Sequence, residues 1–154
     1  IGRFQTVPLY EERYALLVAQ HHPLAERDTI SWAETGALPL CLLTPDMQNR
    51  RIIDRHLAAA GVPSQPTFES NSMTLLHVHV ETGKWVSIVA GRATDVFGRQ
   101  GGLVTVPIID PVVTHKIGLI VPQREPFTPL VAALVSVAKK IAAAQGATAQ
   151  AAKN

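Results

Sequence analysis

Three short apolar runs constrain this chain more than any other feature: "YALLVA" (14–19), "LPLCLLT" (38–44) and "VSIVA" (86–90). Each is almost unbroken by polar residues, a pattern that suits a strand covered on both faces. Helical periodicity fills the gaps between them. "SWAETGAL" opens on Ser31, and Glu34 three residues later completes a capping box; Gly36 ends the segment. In "QNRRIIDRHLAAAG" (48–61), Ile53, Leu57 and Ala60 recur at i, i+4 and i+7, while Arg51 and Arg55 face away. Gly61 suits the left-handed position after that helix and Pro63 prevents its continuation. "PTFES" reads as a strand. "SMTLLHVHVETG" (72–83) takes Ser72 as N-cap and Met73, Leu76 and Val80 as its inner face. Leu75 and Val78 add a second apolar strip, which predicts a well-covered helix. Strand and helix thus alternate from residue 14 to residue 90. That alternation predicts an α/β domain with a mostly parallel sheet, its strand ends sharing one edge where ligands bind.

The flanks follow another rhythm. "FQTVPLYEERYALLVA" (4–19) reads as two strands, broken at Pro8 and at Glu11-Glu12. "LVTVPIID" (103–110) is extended, and Pro107, which cannot donate to a ladder, belongs at an edge or a crossing. "HKIGLIVP" is a further strand. "TPLVAALVSVAKKIAAAQG" is the longest helix, with Thr128 as N-cap and Pro129 in the first position. Leu130, Leu134, Ala138 and Ile141 are its expected buried face, and Lys139 and Lys140 lie toward the end that favours cations. Gly146 is expected to stop it.

Several function classes drop out. The single cysteine forbids an internal disulfide and a cysteine zinc cage, and Cys41, set in an apolar run, reads as a buried thiol. A net charge of +2, with small clusters only at Asn49–Arg51 and Lys139-Lys140, is a weak footprint for nucleic acid. No apolar stretch reaches the ~18 residues of a membrane span. His21 and His22 stand next to Pro23 in a strand-to-helix connection, and adjacent side chains of an extended segment point opposite ways. His77 and His79 would share a face on a strand, but on a helix they lie about 200° apart. No G-x-S-x-G or Cys-His arrangement is legible. "GRQGG" (98–102) lacks the lysine and hydroxyl of a phosphate loop. Nothing sets two carboxylates across a cleft. Catalytic residues, a metal and a cofactor are therefore not expected.

A binding geometry survives. Two strands end on polar residues that begin helices: "LLTPDMQN" and "FESNSM". Thr44, Ser70, Asn71 and Ser72 are small donors there, and the helix from Ser72 presents its backbone N–H groups and positive dipole end. A small carboxylate could sit at that end, with Arg50 assisting.

The ordered series "VPLYEERYALLVAQHHPLA" (7–25), "ISWAETGALPLCLLT" (30–44), "IIDRHLAAAGVPSQPTFESNSMTLLHVHVETGKWVSIV" (52–89), "LVTVPIIDP" (103–111) and "HKIGLIVP" before a long helix resembles the effector-binding domain of LysR-type transcriptional regulators. In that family "HPLA" links a crossing strand to a short helix, so the paired histidines are punctuation. The resemblance implies a periplasmic-binding-protein type 2-like fold, two α/β subdomains joined by crossing strands, with the first subdomain incomplete in this chain. Residues 14–108 would form the second subdomain, 1–13 and 109–146 parts of the first with the crossing strands, and 147–154 a frayed tail. It further implies a small effector, an organic anion, bound in the cleft between subdomains. Thr44, Asn71 and Ser72 are its contacts, with Val89 and Ala90 at the end of a cleft strand. The partners implied are that effector, a second copy in a dimer or tetramer, and DNA through an upstream winged helix-turn-helix domain; the location implied is cytoplasmic. The start at Ile1 reads as that of a fragment. The family's Gly-x-Gly and proline after the strand are replaced in "GKWVSIVAGR", so no contact is carried onto Trp85 or Arg92. A transporter's solute receptor of the same fold and a small α/β enzyme are the competing readings.

Overall fold

Residues 4–19 form one strand rather than two. In the computed structural model, which describes residues 3–90 and 102–151 with side chains through Gln145, β1 runs without interruption over Phe4–Ala19. Its two halves have different partners, which is why Pro8 does not break it. The first half pairs with β7 (Thr114–Pro122) and accommodates Pro8 within the strand. The second half is flanked by β5 (Ser87–Ala90), with Tyr14 opposite Ala90, and by β6 (Leu103–Ile109), with Ala19 opposite Leu103. Pro107 lies opposite Ala15, at the last β1–β6 pair, and beyond it β6 turns to the two-residue β2 (Ile30–Ser31).

The chain divides into two compact units, one of residues up to Glu12 with those from Thr114 onward, the other Arg13–Val113. The second unit is built around β3 (Cys41–Leu43), which pairs in parallel with β4 (Phe68–Ser70). Leu40 forms a parallel bridge to Val86, and the Cys41 N–H donates to the Val86 carbonyl at 2.8 Å. The strands therefore follow one another as β4, β3, β5, β1, β6, β2, with β1 antiparallel to both its neighbours. Alternate residues feed opposite faces. Leu16, Val18, Leu40, Leu42 and Ile88 join Ile53 and Leu57 of α2 (Gln48–Ala59) in one core layer. Leu17, Cys41, Leu43 and Val89 join Leu76 and Val80 of α3 (Met73–Glu81) in the other. Both faces are covered, which accounts for the unbroken apolar runs.

Local signals did what their chemistry requires. Ser31 and Glu34 cap each other's backbone at α1 (Trp32–Thr35). Gly61 and Gly83 follow α2 and α3 at φ 77° and 73°, the left-handed region that glycine enters at little cost. Gly146 does not stop the last helix: α4 spans Pro129–Ala151, through residues expected in the tail. An interior glycine costs only about 1 kcal/mol relative to alanine, and the surrounding alanines are strong helix formers.

Two expected faces differ. In the first unit, Val131, Val135 and Ala142 of α4 turn inward, and Val135 packs with Val7 and Val121. Leu130, Leu134 and Ile141 are instead 81%, 54% and 54% exposed. The two stripes are one residue out of phase, so periodicity alone does not choose between them. On α3, Leu75 and Val78 also face outward.

Candidate functional site

Strand register gathers most of the expected residues at one edge of the Arg13–Val113 unit. Leu43 lies opposite Ser70, so Thr44 and Asn71 step off the carboxyl ends of neighbouring parallel strands. Ala90 ends β5, the strand beyond β3. Open α/β sheets bind ligands outside such carboxyl ends. Asn71 is exposed there, with Thr44, Ser72 and Ala90 half-buried. Val89 is not available in the same way: its side chain is 1% exposed and packs with Leu17 and Leu76. Only its backbone reaches the edge.

The two helix starts are unequal. At α3 the Ser72 hydroxyl accepts from the Leu75 N–H at 3.3 Å, and the Ser72 N–H donates to Ser70 Oγ at 3.1 Å. That end carries a side-chain cap. At α2 the N-cap is Met47, which makes no side-chain bond. The first bond of that turn runs from the Arg51 N–H to the Met47 carbonyl, so the amides of Gln48, Asn49 and Arg50 precede the ladder. Met47 is held over the strand end by its N–H bond to the Thr44 carbonyl at 3.0 Å. Beside this uncapped turn, Thr44 Oγ1 is buried with no hydrogen-bond partner among the described residues. A buried hydroxyl in that state costs about 1–3 kcal/mol.

Arg50, expected beside a ligand, is buried and bonded within the protein. It is 5% exposed and committed to protein acceptors: Nε to Asp54 at 2.7 Å, and Nη1 to the Leu43 carbonyl at 2.7 Å and to Glu69. Burial opposes its charge, but the bonds to Glu69 and Asp54 outweigh it and raise its pKa. Arg50 is thus a clamp that ties α2 to the ends of β3 and β4. The i, i+4 spacing of Arg50 and Asp54 was visible in the sequence. Two other residues at this edge carried no such signal: the Tyr14 hydroxyl donates to Asn49 Oδ1 at 2.8 Å across 35 positions.

The remaining polar residues are engaged in local contacts. Among the described residues no group of three His, Cys, Asp or Glu could hold a metal ion. His79 stacks on Phe68, with ring centroids 4.1 Å apart, while buried His77 has its pKa lowered by desolvation against the pull of Glu81. His22 Nδ1 accepts from the Leu24 N–H in the turn after β1. An open depression of about 500 Å³ runs along the outer side of α2, lined by Gln48, Arg51, Asp54 and Arg55. Asp54 there is already bonded to Arg50 and Ser64. Gly91, Arg92 and the first four residues of "GRQGG" lie outside the described residues. No helix among the described residues is long and apolar enough to cross a membrane.

Residues 2–143 match the profile of the LysR substrate binding domain. The chain belongs to that family. This LysR effector domain is 24% identical over 117 residues to a probable nitrogen assimilation transcriptional activator of Synechococcus elongatus, covering 76% of this chain and 38% of that protein. It is 26% identical over 124 residues to the hydrogen peroxide-inducible genes activator of Escherichia coli O157:H7, covering 80% of this chain and 41% of the relative. The chain thus spans less than half the length of these curated relatives. The regulatory domain of CcmR from Synechocystis, solved in complex with 2-PG, superposes with a TM-score of 0.73 at 10% identity over 92% of this chain and 68% of that one. The fold is that of LysR effector domains, periplasmic-binding-protein type 2-like, with a mixed sheet between helices.

Proposed function

We propose that this LysR effector domain recognises a small anionic metabolite at the carboxyl edge of its sheet, at the start of α2, and passes that event to a DNA-binding domain of the same regulator. The orphaned Thr44 hydroxyl carries the reading. Thr44 is joined through its carbonyl to Met47, the N-cap of a twelve-residue helix whose uncapped positive end suits an anion. Asn71, Ser72 and Ala90 border the same edge, with Val89 offering only backbone. The reaction class is recognition rather than bond-breaking, since the site pairs no base with a nucleophile. The matched relatives are named as transcription regulators, which favours this reading over a transporter's receptor. Cys41 gives no support to peroxide sensing of the kind one relative's name records. It lies in the core, its thiol donates to the Leu76 carbonyl, and burial pushes its pKa up to about 11. Pairing of copies, contact with DNA and a cytoplasmic location belong to the same proposal. The test is a thermal-shift panel of inorganic phosphate and small carboxylates on the wild-type chain and Thr44→Ala. Stabilisation of the wild type alone supports the site; equal response from both removes it.

A further inference from the structure

The Tyr14–Asn49 bond has a place in the fold that its two residues do not explain separately. Tyr14 pairs with Ala90, which sets it at the same carboxyl edge as Thr44 and Asn71. It is 5% exposed, and its ring is held edge-on to Trp32 with centroids 5.8 Å apart. Trp32 is itself fully buried and anchored by its Nε1–H to the Pro111 carbonyl at 3.2 Å. Tyr14 is therefore a fixed donor. Its target, Asn49, is the second residue of α2, in the turn that has no side-chain cap. The adjacent Arg50 is clamped to β3 and β4. The first turn of α2 is thus held at two points, by Arg50 from one pair of strands and by Tyr14 from another.

We propose that Tyr14 is a positioning residue for the anion site, acting through Asn49 to fix the first turn of α2 over Thr44. This rests on the reading that the anion is received at that turn. A turn held at both points keeps its amides aimed at one acceptor, so less ordering remains to be done when the ligand arrives. Release of the Tyr14 bond leaves the helix folded on Arg50, Ile53 and Leu57 but loosens its beginning. Tyr14 lies one residue past the division at Glu12 and Arg13, on a strand that continues into the other unit.

The experiment combines residue-resolved hydrogen exchange of the free chain with titration by inorganic phosphate at matched ionic strength. Tyr14→Phe keeps the ring and removes only the donor. It is expected to speed exchange at Arg51 to Ile53 and to weaken phosphate binding, each by about fivefold, the scale of one net hydrogen bond. Exchange within α3 stays as in the wild type. Asn49→Asp keeps the acceptor and adds a negative charge, so it retains exchange protection while losing phosphate. Ser64→Ala, which removes a different bond to α2 through Asp54, leaves phosphate affinity unchanged. Unaltered exchange in Tyr14→Phe overturns the proposal, as does faster exchange with unaltered affinity, which would mark an ordinary packing bond. A wild type that ignores phosphate, with the exchange difference intact, overturns the anion reading instead.

Discussion

Thr44→Val tests the physical claim on which the site depends, because its expected sign is unusual. Removing a hydroxyl from a folded protein normally costs stability when the group is bonded. Here the group is buried and finds no partner among the described residues, so the near-isosteric valine should relieve a penalty. The full penalty for such a hydroxyl is about 1–3 kcal/mol. Thr44 as a whole is only half-buried, so the lower end, about 1 kcal/mol, is expected. For a cooperative unit of roughly a hundred residues this corresponds to a rise in Tm of about 4 °C. Calorimetry of the free chain reads that shift, and titration with phosphate reads the other half: the variant should be more stable yet unresponsive. A fall in Tm of similar size would show that the hydroxyl is already bonded in the free domain. The reasoning that makes Thr44 the mark of a ligand site would then fail.

Ser72→Ala removes the cap of α3 and should cost about 1 kcal/mol in urea denaturation, but with the proposed site at the start of α2 it should leave phosphate binding within twofold. Binding lost with the cap would return the site to α3. Cys41 should resist thiol reagents at pH 8 in the native chain and react fully once the chain is unfolded, since burial holds its pKa near 11; prompt native labelling would refute the buried placement. The Glu34 carboxyl, lowered from 4.5 to about 2 first by its bond to Arg27 and then by the Ser31 backbone and hydroxyl, favours the folded state above the ordinary carboxylate range. That contribution should fade as pH falls from about 4.5 through 2, read as faster exchange of the Glu34 amide in wild type than in Glu34→Gln relative to their values at pH 6. An exchange ratio that does not move over this window would show that the capping box does not form in solution.

Much of the fold lay open in the sequence because it was written in short-range terms. Apolar runs of strand length, capping residues and glycines after helices each act within a few positions, and their order along the chain excluded most topologies. The edge itself was legible for the same reason, since Thr44, Asn71 and Ser72 simply follow strands. The sequence did not determine which of two adjacent apolar stripes on α4 turns inward. Nor did it show that Arg50 is buried among Leu43, Asp54 and Glu69, or that Tyr14 meets Asn49. It also favoured the start of α3, and only the structure shows that the start of α2 is the one with no side-chain cap. Ser72 looks like a ligand donor in sequence, and only the structure shows its oxygen accepting from the Leu75 N–H as a helix cap. Thr44 looks no different from Ser72 until the packing around it buries its hydroxyl with no partner among the described residues. Local chemistry specified the elements of this protein by itself, whereas the satisfaction of each polar group, on which recognition depends, was decided where distant segments met in the folded sheet.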